Sequence, residues 1–140
     1  MDNLTQTRPE QEAPSATPKR ADAKVVVVAA ALAAVIWAAA TAAGVDLEVR
    51  SGSGTTQVAL GSVIVTPLVV GAVAAALLRL LERRTKSGFR TWTIVAVLAW
   101  VLSFLGPLSA TSPGAGLVLA TMHLAVGAVV VGGLRLARGA

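Results

Sequence analysis

The chain has 140 residues, no cysteine and a formal net charge of +5; 55% of its residues are hydrophobic and only 14% are charged. Ordinary globular domains are roughly a quarter charged, so this composition excludes a water-soluble domain. The lack of cysteine excludes disulfides and thiolate metal sites. Nucleic-acid binding is disfavoured because the basic residues flank hydrophobic stretches.

Residues 1–24 are polar, contain three prolines, and carry four acidic and four basic residues. Such a segment buries too little apolar surface to offset the entropy of ordering it. The sequence therefore predicts a disordered cytoplasmic tail, with partner binding by this tail as the open alternative.

Four long charge-free stretches follow, at 25–45, 58–78, 91–110 and 111–134. A helix of about 20 residues covers about 30 Å, the thickness of the hydrocarbon layer. A cleaved signal peptide is the competing interpretation of the first stretch, but its apolar run is too long and its leader too acidic. We predict a transmembrane bundle over 25–134, with spans at about 25–44, 58–81, 91–110 and 114–133.

The segment between the first two spans has the alternation of a strand. Val45, Leu47 and Val49 alternate with charged residues, and the SGSG sequence at 51–54 is typical of a turn. Residues 55–58 then form a possible return strand. A hairpin this short is marginal alone, so an irregular loop stays open as the alternative.

The distribution of Lys and Arg predicts the topology. Eleven of the 12 flank the same side of the four spans, and Arg50 stands alone on the other. Positive residues stay cytoplasmic, so we expect both termini, including the tail 135–140, inside. The predicted fold class is an all-α, N-in/C-in membrane protein of the cell (inner or plasma) membrane. Cations expected to contact anionic lipid are Arg79, Arg83, Arg84, Lys86 and Arg90.

His123 is the one ionisable residue inside a predicted span, which makes it a functional candidate. The alternative is a neutral ring that hydrogen-bonds a neighbouring helix. Gly116, Ala120 and Gly127 share its helical face and predict close helix packing there. No second histidine, cysteine or carboxylate lies at that depth, so we expect no metal site.

A polar layer is predicted around His123. By helical rise, Trp37, Pro67 and His123 lie about 10–15 Å below the outer surface. Pro67 also leaves a carbonyl without its helical hydrogen bond. The layer is either a small pocket or a polar cluster that joins helices. Its members are Trp37, Thr41, Thr66, Pro67, Trp100, Ser103 and His123.

Several short segments carry a family resemblance: GVDL at 44–47, LLERR at 80–84, GPL at 106–108 and MH at 122–123, together with Trp37, Trp92 and Ser103. On these residues, the chain from 25 to about 134 resembles an uncharacterised family of four-helix membrane proteins of high-GC actinobacteria, known as a domain of unknown function. The resemblance implies an inner-membrane location and four spans, and it implies no activity.

The residues outside the spans make a poor active site. Acid–base catalysis needs positioned titratable groups, and only Asp46, Glu48 and Arg50 are available on the outer side. We therefore expect no catalytic residues, no cofactor and no enzyme activity. The favoured function is a structural or regulatory membrane protein that packs with itself or a larger membrane partner. The alternative is a small oligomeric transporter or channel that uses the outer-half pocket.

Overall fold

The computed structural model describes residues 18–139, and in this part of the chain four long helices are joined by short connections. Each helix, with the short turn after the third, is long and apolar enough to cross a membrane. The predicted four helices are thereby confirmed, and of the two alternatives for the segment after the first, a hairpin or an irregular loop, the structure has the hairpin. The elements are α1 (Pro18–Ala42), β1 (Glu48–Ser51), β2 (Gly54–Gln57), α2 (Leu60–Arg84), α3 (Gly88–Ser103), a 3-10 turn (Pro107–Ser109) and α4 (Pro113–Leu136).

Two helix boundaries differ from the predicted ones at the chain ends. Helix α1 begins at Pro18, so residues 18–24, which we assigned to a disordered tail, are helical instead. Proline suits the first position of a helix because its missing N–H has no partner there anyway. Helix α4 likewise includes Arg135 and Leu136, which we assigned to the C-terminal tail. The rest of the predicted N-terminal tail, 1–17, lies outside the described residues.

The third helix is shorter than the predicted 91–110. It ends at Ser103, whose carbonyl oxygen accepts a hydrogen bond from Gly106 N at 3.1 Å, the three-residue separation of a tight turn. Pro107 has no N–H to continue the helical ladder back to Ser103, so the chain turns. Helix α2 by contrast continues through Pro67, which is buried within it.

The helices pack with α1 between α2 and α4, while α3 lies mainly against α2. In the most apolar window of α1, α2 and α4, 28% of the residues are buried, against 11% in α3. The buried side chains form three successive clusters along the bundle, centred on Leu78, Met122 and Leu47. Helix α3 is therefore the peripheral helix of the bundle.

Glycines let α1 approach both of its neighbours. A Cβ atom on Gly71 of α2 would lie 2.9 Å from Val26 Cγ2, and one on Gly133 of α4 would lie 2.8 Å from Val25 Cγ1. Real Cβ atoms do not approach carbon this closely, so the two valines of α1 fill space that only glycine leaves open. In lipid the hydrophobic effect does not drive helices together, so close packing depends on small residues such as these glycines.

The hairpin and the α3–α4 connection meet at one end of the bundle, which we call the hairpin end. Strands β1 and β2 pair antiparallel, with Ser51 opposite Gly54 across a two-residue turn. Gly52 has φ +59°, the left-handed region that this turn requires at its first position. Thr111 N donates to the carbonyl oxygen of Glu48 at 3.0 Å, which fastens β1 to the connection between α3 and α4. The opposite end carries the basic α2–α3 loop, and we call it the basic end.

Candidate functional site

The main contact of α3 with α4 is a tryptophan seated on a glycine. Trp100 Nε1 donates to the carbonyl oxygen of His123 at 2.8 Å, and its indole lies against Gly127 where a Cβ atom would overlap the ring. Ser103 Oγ donates to the carbonyl oxygen of Trp100 at 2.6 Å. We call this contact, formed by Trp100, Ser103, His123 and Gly127, the α3–α4 seam.

The ring of His123 has a defined tautomer. Its Nδ1 lies 2.7 Å from the carbonyl oxygen of Leu119, and a carbonyl only accepts, so Nδ1 carries the proton. In the neutral ring Nε2 is then an acceptor. No hydrogen-bond partner for Nε2 is found among residues 18–139, where every buried side-chain nitrogen and oxygen has one. Nε2 therefore keeps accessible surface.

The accessible Nε2 faces the turn that follows α3. A Cβ atom on Gly106 would lie 3.6 Å from Nε2, and the Phe104 ring centroid lies 6.2 Å from that of His123. Next to this turn an apolar groove of about 310 Å³ runs between the end of α3 and the start of α4. The groove is lined by Val101, Phe104, Leu105, Pro107, Leu108, Gly116 and Ala120.

The predicted small-residue face of α4 divides between the groove and the seam. Gly116 and Ala120 line the groove, and a Cβ atom on Gly116 would be 3.7 Å from the carbonyl oxygen of Pro107, an ordinary contact. Gly127 instead receives the Trp100 indole. All three residues face α3 or the turn after it, but only Gly127 needs the absence of a side chain.

The remaining members of the predicted polar layer lie elsewhere. Trp37 Nε1 donates to the carbonyl oxygen of Val58 at 2.7 Å, just before α2 begins. Thr41 is exposed and donates back to the carbonyl oxygen of Trp37 at 3.0 Å. Thr66 is exposed, while Pro67 is buried. Trp100, Ser103 and His123 therefore share the α3–α4 seam, while Trp37 and Thr41 make their hydrogen bonds to other segments.

The three tryptophans of the chain use their indole N–H groups in the same way. Trp92 Nε1 donates to the carbonyl oxygen of Ala74 in α2 at 2.9 Å, as Trp37 and Trp100 donate to carbonyls of neighbouring segments. An indole N–H left without a partner in hydrocarbon is costly, and a carbonyl oxygen has a second lone pair to accept it. Each tryptophan thus connects two elements of the bundle.

An ion cluster at the basic end was not predicted. Asp22 of α1 is 1% exposed and accepts hydrogen bonds from Arg79 Nη2 of α2, at 2.7 Å, and from Arg138 beyond α4. Glu82 lies 3.4 Å from Arg138 Nε. The hydrogen bond to Asp22 raises the pKa of the Arg138 guanidinium, although burial lowers it. Two acidic and two basic side chains therefore neutralise one another where α1, α2 and α4 meet.

The sequence contains an indication of this ion cluster, but the same residues also fit a solvated tail. Asp22 stands three residues before the first apolar stretch, among residues whose composition indicates a tail. Asp22 stands four residues before Val26, so both lie on the buried face of α1. This spacing indicates a buried carboxylate only once the helix is known to begin at Pro18.

The cations expected to contact lipid fall into two groups. Arg79 is tied to Asp22, with 34% of its side chain exposed. Arg83, Arg84, Lys86 and Arg90 are exposed around the α2–α3 loop. Arg135 adds a cation over the Phe89 ring, 5.6 Å from its centroid. The loop therefore presents four of the five predicted lipid contacts at the surface.

The described residues form four long apolar helices that expose many valine and leucine side chains, and a hairpin lies at one end of the bundle. In helix length and composition the chain is therefore typical of small multi-pass membrane proteins. Its sequence matches the model of DUF6069, a family of unknown function, over residues 14–140, and the chain belongs to that family. Searches of curated proteins and of solved structures found no match.

Proposed function

We propose that this chain is a non-enzymatic, multi-pass protein of the cell membrane that packs laterally, through α3, with a second copy or a larger membrane partner. Its role in that assembly is structural or regulatory. The observation that carries the proposal is the peripheral position of α3, the least buried of the four helices.

The outer face of α3 supports this assignment. Ile94, Leu98 and Leu102 are 54%, 58% and 62% exposed and follow one another at intervals of four. They form a continuous aliphatic stripe along one side of the helix, which we call the α3 stripe. The helix is fixed to α2 at its start by buried Trp92 and to α4 at the seam. The stripe is therefore presented on a helix whose orientation is set by the rest of the bundle.

The polar groups inside the bundle also support a packing role. The three indole groups donate to main-chain carbonyls of neighbouring segments. Such bonds hold helices in register. The favoured orientation places both termini and the basic end in the cytoplasm, because the cations cluster there.

The chain contains no cysteine, so a single introduced cysteine reports from one position. Leu98→Cys and Leu102→Cys would each carry a benzophenone maleimide in intact membranes. Val28→Cys and Val73→Cys, on α1 and α2, are matched controls because their native side chains are 54% and 61% exposed. We expect light-induced adducts from the α3 positions only, with the adduct mass distinguishing a second copy from a larger partner. Equal adducts at all four positions, or none, would contradict the proposal.

A further inference from the structure

The second strand of the hairpin has one edge without a neighbouring strand among residues 18–139. One side of β1 pairs with β2, and its other side meets the α3–α4 connection at Ala110 and Thr111. Strand β2 pairs with β1 alone in the described part of the chain, and all four of its residues are exposed. We call the open side of β2, at Thr55 and Gln57, the β2 edge.

The alternation of the hairpin decides which backbone groups reach this edge. Val58 N donates to the carbonyl oxygen of Leu47 at 2.8 Å, so these two residues form a hydrogen-bonded pair. In an antiparallel ladder such pairs recur at every second residue, and the next one along β2 is at Thr56. The N–H and C=O groups of Thr55 and Gln57, on either side of Thr56, therefore point away from β1.

We propose that two copies of this chain join through their β2 edges into one four-stranded antiparallel sheet. In the register that uses both residues of the edge, Thr55 of one copy faces Gln57 of the other, and Thr56 lies beside the twofold axis. Each copy then donates two main-chain hydrogen bonds across the interface and accepts two. The inference goes beyond the proposed function and does not rest on it, because the β2 edge and the α3 stripe are different surfaces.

The placement of the hairpin permits this symmetry within a membrane. One face of the hairpin packs on the bundle through Leu47, in a cluster with Ala40 and Ala115, each of which stands two residues from the end of its helix. The sheet therefore lies across the end of the bundle. The twofold axis that relates two antiparallel edge strands is perpendicular to their sheet, so it runs along the helices. Two copies inserted side by side in the same orientation are related by such an axis.

The sequence of β2 contains none of the features that keep other strands away from a sheet edge. Natural edge strands commonly carry charged side chains or proline for this purpose. Strand β2 reads GTTQ, with no charge and no proline. The proposed register pairs threonine with glutamine, so no charge is buried and no like charges meet between the two β2 strands.

The charges of β1 favour this register over its neighbours. Within one copy Glu48 lies opposite Gln57, and Arg50 lies opposite Thr55. The proposed register therefore places Glu48 of one copy and Arg50 of the other at the two ends of each row, about 14 Å apart, which is three strand spacings. Glu48 already leans over β2, since its Oε1 accepts from Thr55 Oγ1 at 3.1 Å. With Thr55 facing Thr55, or Gln57 facing Gln57, two arginines or two glutamates would share a row.

Because the chain contains no cysteine, single introduced cysteines test the register. Thr56→Cys, Thr55→Cys and Gln57→Cys would each be oxidised with copper–phenanthroline in membranes of the expressing cells. The two Thr56 positions face each other with Cα atoms about 4.5 Å apart, within disulfide range. The two Thr55 positions, like the two Gln57 positions, lie on a diagonal of about 7–8 Å, which is too far. We expect a covalent dimer from Thr56→Cys and monomers from the other two.

Co-expression of the two neighbouring variants is the matched control. Thr55→Cys and Gln57→Cys positions face each other across the proposed interface, so together they should give a mixed dimer that neither gives alone. Equal dimer from all three single variants, or none from Thr56→Cys, would overturn the proposal. A Thr56→Cys disulfide with a different protein would overturn the choice of a second copy.

A proline separates pairing across the interface from folding of the hairpin. Gln57→Pro removes an N–H that points away from β1, a place where a strand tolerates proline. Gln57→Thr keeps this N–H and is the control. In the Thr56→Cys background we expect the proline to abolish the dimer and the threonine to retain it, with the same unfolding temperature in mild detergent. A dimer that survives the proline would overturn the shared sheet. If the proline lowers the unfolding temperature, the cysteine pattern alone decides.

Discussion

Asp22 in the first turns of α1 accepts two hydrogen bonds from Arg138, which follows α4 and stands 116 positions later in the chain. The pair joins the first helix to the end of the last one. Asp22 also accepts from Arg79 Nε at 3.0 Å, so a single buried carboxylate connects three helices. The composition of residues 1–24 predicts that Asp22 is solvated, but its carboxylate instead joins the helices at the basic end.

Replacement of Asp22 should destabilise the bundle more than replacement of its neighbour in the cluster. Asp22→Asn keeps the size of the side chain but leaves two guanidinium groups without their counter-charge. Breaking a fully buried pair costs roughly 3–5 kcal/mol; we expect about 2 kcal/mol because the Arg79 side chain is 34% exposed. Glu82→Gln, whose partner lies 3.4 Å away, should cost less than about 1 kcal/mol. Thermal unfolding in one mild detergent measures both, and equal losses would contradict the central role of Asp22.

The seam predicts a strong effect from one methyl group. Gly127→Ala puts a Cβ atom into the Trp100 indole, so the ring must move and its hydrogen bond to His123 must lengthen. Overpacking of this kind costs roughly 1–3 kcal/mol. The control is Gly132→Ala on the same helix, where nothing lies within 4 Å, and which should be neutral or slightly stabilising. The unfolding midpoint and the tryptophan emission maximum report the change. Identical behaviour of the two variants would mean that Trp100 does not rest on Gly127.

The contact between α1 and α2 is testable by compensation. Gly71→Ala should destabilise the bundle by about 1 kcal/mol, because its new methyl group would meet Val26 at 2.9 Å and a valine side chain is stiff. The same substitution in a Val26→Ala background should cost less, since the opposing methyl groups are gone. A double-mutant cycle on unfolding free energies gives the coupling directly. A coupling energy indistinguishable from zero would contradict the contact.

The proposed orientation has its own test. Reporter fusions after Arg84 and at the C-terminus should be cytoplasmic, while an insertion at Gly52 in the hairpin turn should be external. The expectation follows from the eleven cations on one side against Arg50 alone on the other. Gly52 tolerates insertion because it is exposed at a two-residue turn. A cytoplasmic signal from Gly52 would contradict this topology.

The helices were predictable because lipid-exposed helices must be apolar on most sides, and charge-free stretches of about 20 residues indicate them without any tertiary information. The hairpin was only one of two alternatives, because its stability depends on a contact made elsewhere. Thr111 supplies that contact by donating to Glu48, and nothing in residues 45–58 indicates it.

The polar contacts were harder to predict than the helices. The face shared by His123 and Gly127 followed from helical spacing, and the structure places both at the α3–α4 seam. Which helix lies opposite a given face does not follow from spacing, so the acceptor of the Trp37 indole, the carbonyl oxygen of Val58, could not be predicted. The Asp22 cluster was missed for a related reason, since a short amphipathic extension before an apolar run has the composition of a solvated tail.

The fastening of the hairpin to the α3–α4 connection bears on how the chain is assembled during synthesis. Thr111 Oγ1 and Glu48 O are 63 positions apart, with two complete helices between them. Their bond forms only after α2 and α3 have been synthesised and Thr111 has come next to Glu48 at the hairpin end. Until then the Leu47 side chain, 2% exposed in the finished bundle, lacks the cover that Ala115 and its neighbours provide. Closure of the hairpin end therefore comes late in folding during synthesis, and a chain halted after α3 would leave the Leu47 side chain without its cover.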